Sequence, residues 1–190
     1  MSSDEKQQTL VLIEQACQHD ENACQKLLNL YKGRIFSYIL RMVKNYHDAE
    51  DLTFDTFIKS FRALESFDRS QRFSTWLFSI AHNTTIDFFR KNKIQYEYID
   101  ERYASNTDFV REYERKRKME QIDQAITQLA PIDRELVFLF HKEEYSYQEI
   151  SDIVHLPITT IKTRLHRARK RLRDIVRQTG ETFPQGKRIT

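Results

Sequence analysis

Only three glycines and three prolines punctuate these 190 residues. Between them run long apolar-periodic stretches, and the combination predicts an all-α chain. There is no P-loop, no Gly-rich phosphate cradle, no nucleophile elbow and no two-His metal motif. His47, His82, His141, His155 and His166 have no mutual spacing that suggests catalysis. An enzyme is therefore not expected, nor is a cofactor. Cysteine is nearly absent as well. Cys17 and Cys24 are the only two, too few for a disulfide framework, and they read as reduced thiols. His19 lies between them, but no fourth ligand is evident, so small residues packed in helices are favoured over a zinc site. No apolar run reaches the length of a membrane span, and the first residues lack a signal peptide's apolar core. A soluble, cytoplasmic protein without membrane insertion is expected. Charged residues make up 31 % of the chain, yet the net charge is only +3, so any attraction to a polyanion must be local.

That local charge lies between Ser146 and Leu172. Ser146 and Glu149 have the spacing of a capping box, which predicts a short helix burying Ile150, Ile153 and Val154. His155-Leu156-Pro157 breaks it, and Pro157 suits the first turn of the next helix. There, Ile158, Ile161, Leu165, Ala168 and Leu172 fall within about 80° of one another, a single buried stripe. The opposite face presents Thr159, Thr163, His166, Arg167 and Lys170. From Ile158 to Arg173 there are seven Lys or Arg and no acid. This pattern predicts a helix-turn-helix whose second helix lies in a major groove.

Upstream, apolar spacing predicts helices over 9–18, from Asp20 to about Met42, over 48–63 and over 74–91, with a polar loop at 65–72. Periodicity dissolves after Asn92, where Tyr96, Tyr98 and Tyr103 sit among mixed charges. A further helix is predicted from Thr107 or Asp108, with Met119, Ile122, Ile126 and Leu129 on its inner face and Pro131 ending it. Another follows over 133–142. The expected architecture is two small helical domains, 1–92 and 111–178, joined by a flexible linker at 93–110 and followed by a tail at 179–190.

Five motifs then occur in order: Asp48-Ala-Glu-Asp-Leu52, Phe73-Ser-Thr-Trp-Leu77, Ile80-Ala-His-Asn83 with Asp87-Phe-Phe-Arg-Lys91, Tyr147-Gln-Glu-Ile150, and Ile161-Lys-Thr-Arg-Leu-His-Arg-Ala-Arg169. Together they resemble the extracytoplasmic-function (ECF) sigma factors of bacterial RNA polymerase. The resemblance implies that the first domain, a four-helix region 2, docks on the core polymerase and opens the promoter −10 element. The second, a helix-turn-helix region 4, would read the −35 element. It also implies an anti-sigma factor partner. The chain departs from the family pattern at Phe54-Asp55, often Gln-Glu, and at Thr159, often Gly.

Site residues follow from the resemblance and the helical wheels together. For −35 DNA they are Lys162, Thr163, His166 and Arg167, with Thr159 and Lys170 on the same face and Arg164 on its flank. An Arg can pair bidentately with guanine, and flanking cations suit phosphates. For the −10 strand they are Phe67, the loop residues Asp68, Arg69 and Arg72, then Asn83, Phe78 and Arg90. Aromatics beside hydrogen-bonding groups suit unpaired bases, although packing against a neighbouring helix explains Phe78 equally well. For the β′ clamp of the polymerase they are Asp48, Glu50, Asp51, Phe54 and Asp55, acids beside an apolar band. Phe57, Phe61 and Trp76 are assigned mostly to the core. The rival reading is an autonomous helix-turn-helix regulator that binds duplex operator DNA without polymerase.

Overall fold

The structure is a computed structural model that describes residues 3–92 and 125–178. It is all-α among the described residues. The first domain comprises α1 (Ser3–Cys17), α2 (Glu21–Val43), α3 (Tyr46–Arg62), a 3-10 turn (Leu64–Ser66) and α4 (Phe73–Lys91). The second contains helical residues 125–127, then α5 (Pro131–His141), α6 (Tyr147–Val154) and α7 (Ile158–Gln178). The expected linker, the start of the helix near Thr107 or Asp108, and the tail from 179 all lie outside the described residues.

Short polar residues set the boundaries. Asp20 caps α2 by accepting hydrogen bonds from the amides of Asn22 and Ala23, at 2.8 and 3.3 Å. Lys44 closes that helix in the left-handed region. Asn45 then opens α3 at once, its side chain accepting from the Asp48 amide at 3.1 Å. Tyr46 and His47, which lie between the expected bounds of the two helices, therefore already belong to α3. The start of α5 is likewise corrected. Pro131 occupies its first turn, where a missing amide proton costs nothing, so that helix starts two residues before the expected Asp133. The predicted capping box is present: the Glu149 amide donates to Ser146 Oγ at 3.2 Å, and Glu149 Oε2 accepts from the Ser146 amide at 2.9 Å.

Helix α2 is the hub, packing against α1, α3, α4 and also α5 of the second domain. Its seam of Leu27, Tyr31, Ile35, Tyr38, Ile39 and Met42 is buried throughout. In the second domain Leu136, Leu139, Ile150, Ile153, Ile161 and Leu165 form the corresponding core. Each such side chain contributes roughly 1.5–3 kcal/mol when fully buried. The two cores are continuous, because α4 packs on α6 and α2 on α5. The wheel of α4 anticipates one buried arc. The structure also buries Thr75, Phe78, His82 and Phe89 on the opposite arc. Contacts from the second domain account for part of this second covering, at Phe78 and His82.

Candidate nucleic-acid interface

The face of α7 opposite its buried stripe is open. Thr159, Lys162, Thr163, His166, Arg167 and Lys170 are all exposed, while Ile161, Leu165, Ala168 and Leu172 are buried. The sequence expectation placed the same residues outside. Thr163 Oγ1 donates to the Thr159 carbonyl at 2.9 Å, which orders its side chain on the helix. Lys162 Nζ sits 5.2 Å from the centre of the Tyr147 ring, held over α6. On the flank, Arg164 pairs with Asp133 at 3.2 Å, and both border a shallow hollow with Thr159, Thr163 and Arg167. Arg169 lies over the Phe140 ring at 5.2 Å and donates to His141 Nε2 at 3.4 Å. Burial, followed by the charge of Arg169, holds the His141 pKa below its ordinary value.

The α4 region is divided. Asn83 and Arg90 are exposed, Arg90 in a 2.7 Å pair with Asp87 one turn away. In the preceding loop, Asp68 accepts from the Ser70 amide at 2.9 Å and from Gln71 Nε2 at 3.3 Å. These bonds, the backbone one foremost, hold the Asp68 carboxyl below the usual carboxylate range. Its carboxylate thus orders the loop, and Arg69 projects beside it into solvent. Phe67 and Phe78 differ from the expectation of a base-stacking surface. Phe67 is buried, its ring 5.4 Å from Phe73 and 5.2 Å from Trp76, so it anchors the loop to the core. Phe78 is fully buried, edge-on to Tyr38 at 5.1 Å and to Tyr145 of the second domain at 5.6 Å. Arg72 is half-buried and also engaged across the domains: it pairs with Glu149 at 2.6 Å and stands 5.4 Å from the Tyr145 ring.

On α3, Glu50, Asp51, Phe54 and Asp55 form an exposed patch, and Asp48 is half-buried in the first turn. Phe54 is 67 % exposed, unusual for so large an apolar side chain. Phe57 is buried and Phe61 half-buried, so the assignment of the aromatics divides along the helix as the periodicity predicts.

The sequence reading missed the groups that join the domains. Glu135 is completely enclosed, receiving a hydrogen bond from the Tyr38 hydroxyl and pairing with His82 Nδ1 at 2.7 Å. Burial disfavours the charged imidazole, but the charge and hydrogen bond of Glu135 outweigh it and raise the His82 pKa. Arg34 donates to Glu143 from Nε at 2.8 Å and from Nη2 at 2.5 Å. One signal was available: Glu135 stands between Ile132, Leu136 and Leu139 on the apolar stripe of α5, where an acid needs a partner from elsewhere.

Comparisons with known proteins bear on both halves. The Sigma-70 region 2 model matches residues 27–94, and the Sigma-70 region 4 model matches residues 119–172. The chain is 35 % identical over 178 residues to the ECF RNA polymerase sigma factor SigW of Bacillus subtilis, covering 87 % of this chain and 95 % of that protein. It is 30 % identical to SigM of the same organism, covering 78 % and 91 %. Among solved structures, CnrH in complex with the cytosolic domain of CnrY aligns with a TM-score of 0.65 at 21 % identity, over 88 % of this chain and 96 % of that one. The sigma factor RpoE in complex with the anti-sigma factor NepR from Bartonella quintana aligns with a TM-score of 0.65 at 23 % identity, over 80 % and 96 %. Similarity of this extent, running through both helical domains in one chain, means that the protein belongs to the ECF family of RNA polymerase sigma factors.

Proposed function

We propose that this chain is an alternative sigma factor that binds core RNA polymerase, recognises −35 and −10 elements and promotes promoter melting. The observation that carries the reading is the open α7 face, where a cluster of exposed cations and threonines stands on a helix anchored by its other side. Duplex binding there supplies register and salt-dependent affinity. Capture of unpaired bases beside Asn83 and the loop at 68–72 favours opening, against a cost of a few kcal/mol for each unstacked base. The nucleotide chemistry stays with the polymerase, and the protein acts in the cytoplasm, where that enzyme is. An anti-sigma factor is a proposed partner, since the RpoE structure contains one. No described helix is long and apolar enough to cross a membrane.

Reconstitution tests this. Purified protein, bacterial core polymerase and candidate promoters are expected to give specific initiation that neither protein gives alone. Specific operator binding that is indifferent to core enzyme would support the rival duplex regulator instead.

Docking on the polymerase is assigned to Glu50, Asp51, Phe54 and Asp55. Because Phe54 is exposed, Phe54→Ala should leave thermal stability within about 0.5 kcal/mol of wild type. The same change should weaken core binding by about 1.5–3 kcal/mol, the value of burying such a side chain at an interface. Fluorescence anisotropy with labelled protein measures it, and unchanged core affinity would remove Phe54 from the interface. Asn83→Ala is expected to weaken opening and relax −10 preference while sparing core binding. Permanganate footprints that match wild type in extent and promoter ranking would reject that role.

A further inference from the structure

The cations of α7 are not all held in the same way. Lys162 rests on the Tyr147 ring and Arg169 on the Phe140 ring, each at 5.2 Å, and the two rings stack on one another at 5.1 Å. A ring steadies a cation and leaves its charge in place. Arg164 is treated differently. Its Nη1 donates to Asp133 Oδ1 at 3.2 Å, and the two side chains are only 30 % and 22 % exposed. Among the described residues, Arg164 is the one α7 cation in an ion pair with a carboxylate. Asp133 comes from another helix, in the first turn of α5, where an acid suits the helix dipole. The dipole accounts for an acid in that turn and not for its engagement of Arg164. Its carboxylate borders the same shallow hollow as Thr159, Thr163 and Arg167, the residues assigned to duplex DNA. On a surface that meets phosphates, a negative charge lowers affinity.

We propose that Asp133 is a positioning residue for sequence discrimination. By holding Arg164 it withholds one cation from the phosphate backbone, which weakens binding to unselected DNA more than binding to the −35 element. The proposal rests on the sigma-factor reading of α7 and adds a residue to it. Specificity is a difference between two affinities, and a restraint against the wrong partner raises it as surely as a contact with the right one. Non-specific binding is almost entirely phosphate contact. Specific binding adds bonds to base edges, here from Arg167 and its neighbours, and these do not compete with Asp133. A phosphate recruits Arg164 only by displacing Asp133. Because both side chains are largely shielded from water, salt screens this pair less than a fully exposed one. Arg164 and Arg167 stand one turn apart on the hollow. With Arg164 held, Arg167 presents its planar fork without a second guanidinium drawing the helix toward the backbone.

Asp133→Asn removes the charge and keeps the shape, so it provides the test. The full chain carrying it should bind a short duplex of random sequence roughly threefold more tightly, with a salt dependence steeper by about one counterion. Fluorescence anisotropy across salt concentrations measures both. In holoenzyme reconstituted with core polymerase, initiation is compared on one promoter with its −35 element intact or scrambled. The preference for the intact element should fall roughly threefold. Asp133→Glu, which keeps the charge, is expected to behave as wild type in each assay. A merely structural role would move the urea midpoint and leave the salt slope in place. Combining Asp133→Asn with Arg164→Gln decides the route. With no guanidinium to release, the Asn change should alter neither the slope nor the preference. Equal effects in both backgrounds would mean that Asp133 repels DNA by itself, and an unchanged slope that it does not act on DNA. Either result overturns the proposal. Wild type that cannot initiate with core polymerase defeats the sigma reading, whereas normal initiation with a preference indifferent to Asp133 defeats only this inference.

Discussion

Replacing Phe78 with alanine is expected to destabilise the free protein by about 3–5 kcal/mol, the usual cost of truncating a fully buried Phe. The side chain is wholly enclosed, with Tyr38 on one side and Tyr145 on the other. Truncation removes both edge-to-face contacts and leaves a cavity that spans the two domains. The helices that line it belong to one continuous, close-packed core, so the walls cannot simply collapse inward. A stacking residue that waits in solvent for a base would behave otherwise, its loss costing about 0.5 kcal/mol or less. Urea denaturation followed by circular dichroism distinguishes the two. A midpoint close to that of wild type would mean that this side of α4 is open in solution and the seam unformed.

The second large effect concerns recognition of paired DNA. Arg167→Ala should weaken −35 binding by about 1–3 kcal/mol and relax preference at one base position. Arg167 is exposed on the open face of α7, beside Thr163 and His166, whereas Arg164 is partly satisfied by Asp133. Among the described residues no carboxylate pairs with Arg167, so its guanidinium retains its planar donor fork for a base edge. Lys170→Ala, farther along the same face, should instead weaken all sequences alike and lower the salt dependence by about one counterion. Competition binding with single-position variants of a −35 duplex, repeated across salt concentrations, provides the measurement. Equal losses on every duplex after Arg167→Ala would reassign that residue to the phosphate backbone.

Neither effect depends on a change of fold. Arg167 sits on a helix turned outward by Ile161, Leu165 and Ala168, and its substitution leaves that stripe intact. Phe78, by contrast, belongs to the packing itself. The first prediction thus reads the assembly of the domains and the second reads the surface that the assembly leaves open.

Much of this was legible in residue order alone. The stripe from Ile158 to Leu172 dictates which side of α7 faces solvent, because apolar groups at threes and fours can be buried only together. Asp20, Asn45 and Ser146 start helices because their short polar side chains satisfy amides that the helix cannot. The exposed acids of α3 and the exposed Asn83 were assigned correctly to the surface for the same reason of periodicity. The start of α5 lies two residues before the expected Asp133, because Pro131 itself suits a first helical turn.

What residue order could not supply was the fate of α4's second face. Phe78 and His82 are amphipathic or aromatic enough for a wet surface or a dry one, and a wheel plot treats both alike. Only the tertiary structure decides, by bringing Glu135 against His82 and Tyr145 against Phe78 from positions 53 and 67 residues distant in the chain. Helix formation is governed by neighbours within a few residues, so sequence determined the elements and their buried stripes. The seam between domains depends on complementary charge and shape between surfaces remote in sequence, and that information exists only once both surfaces are folded.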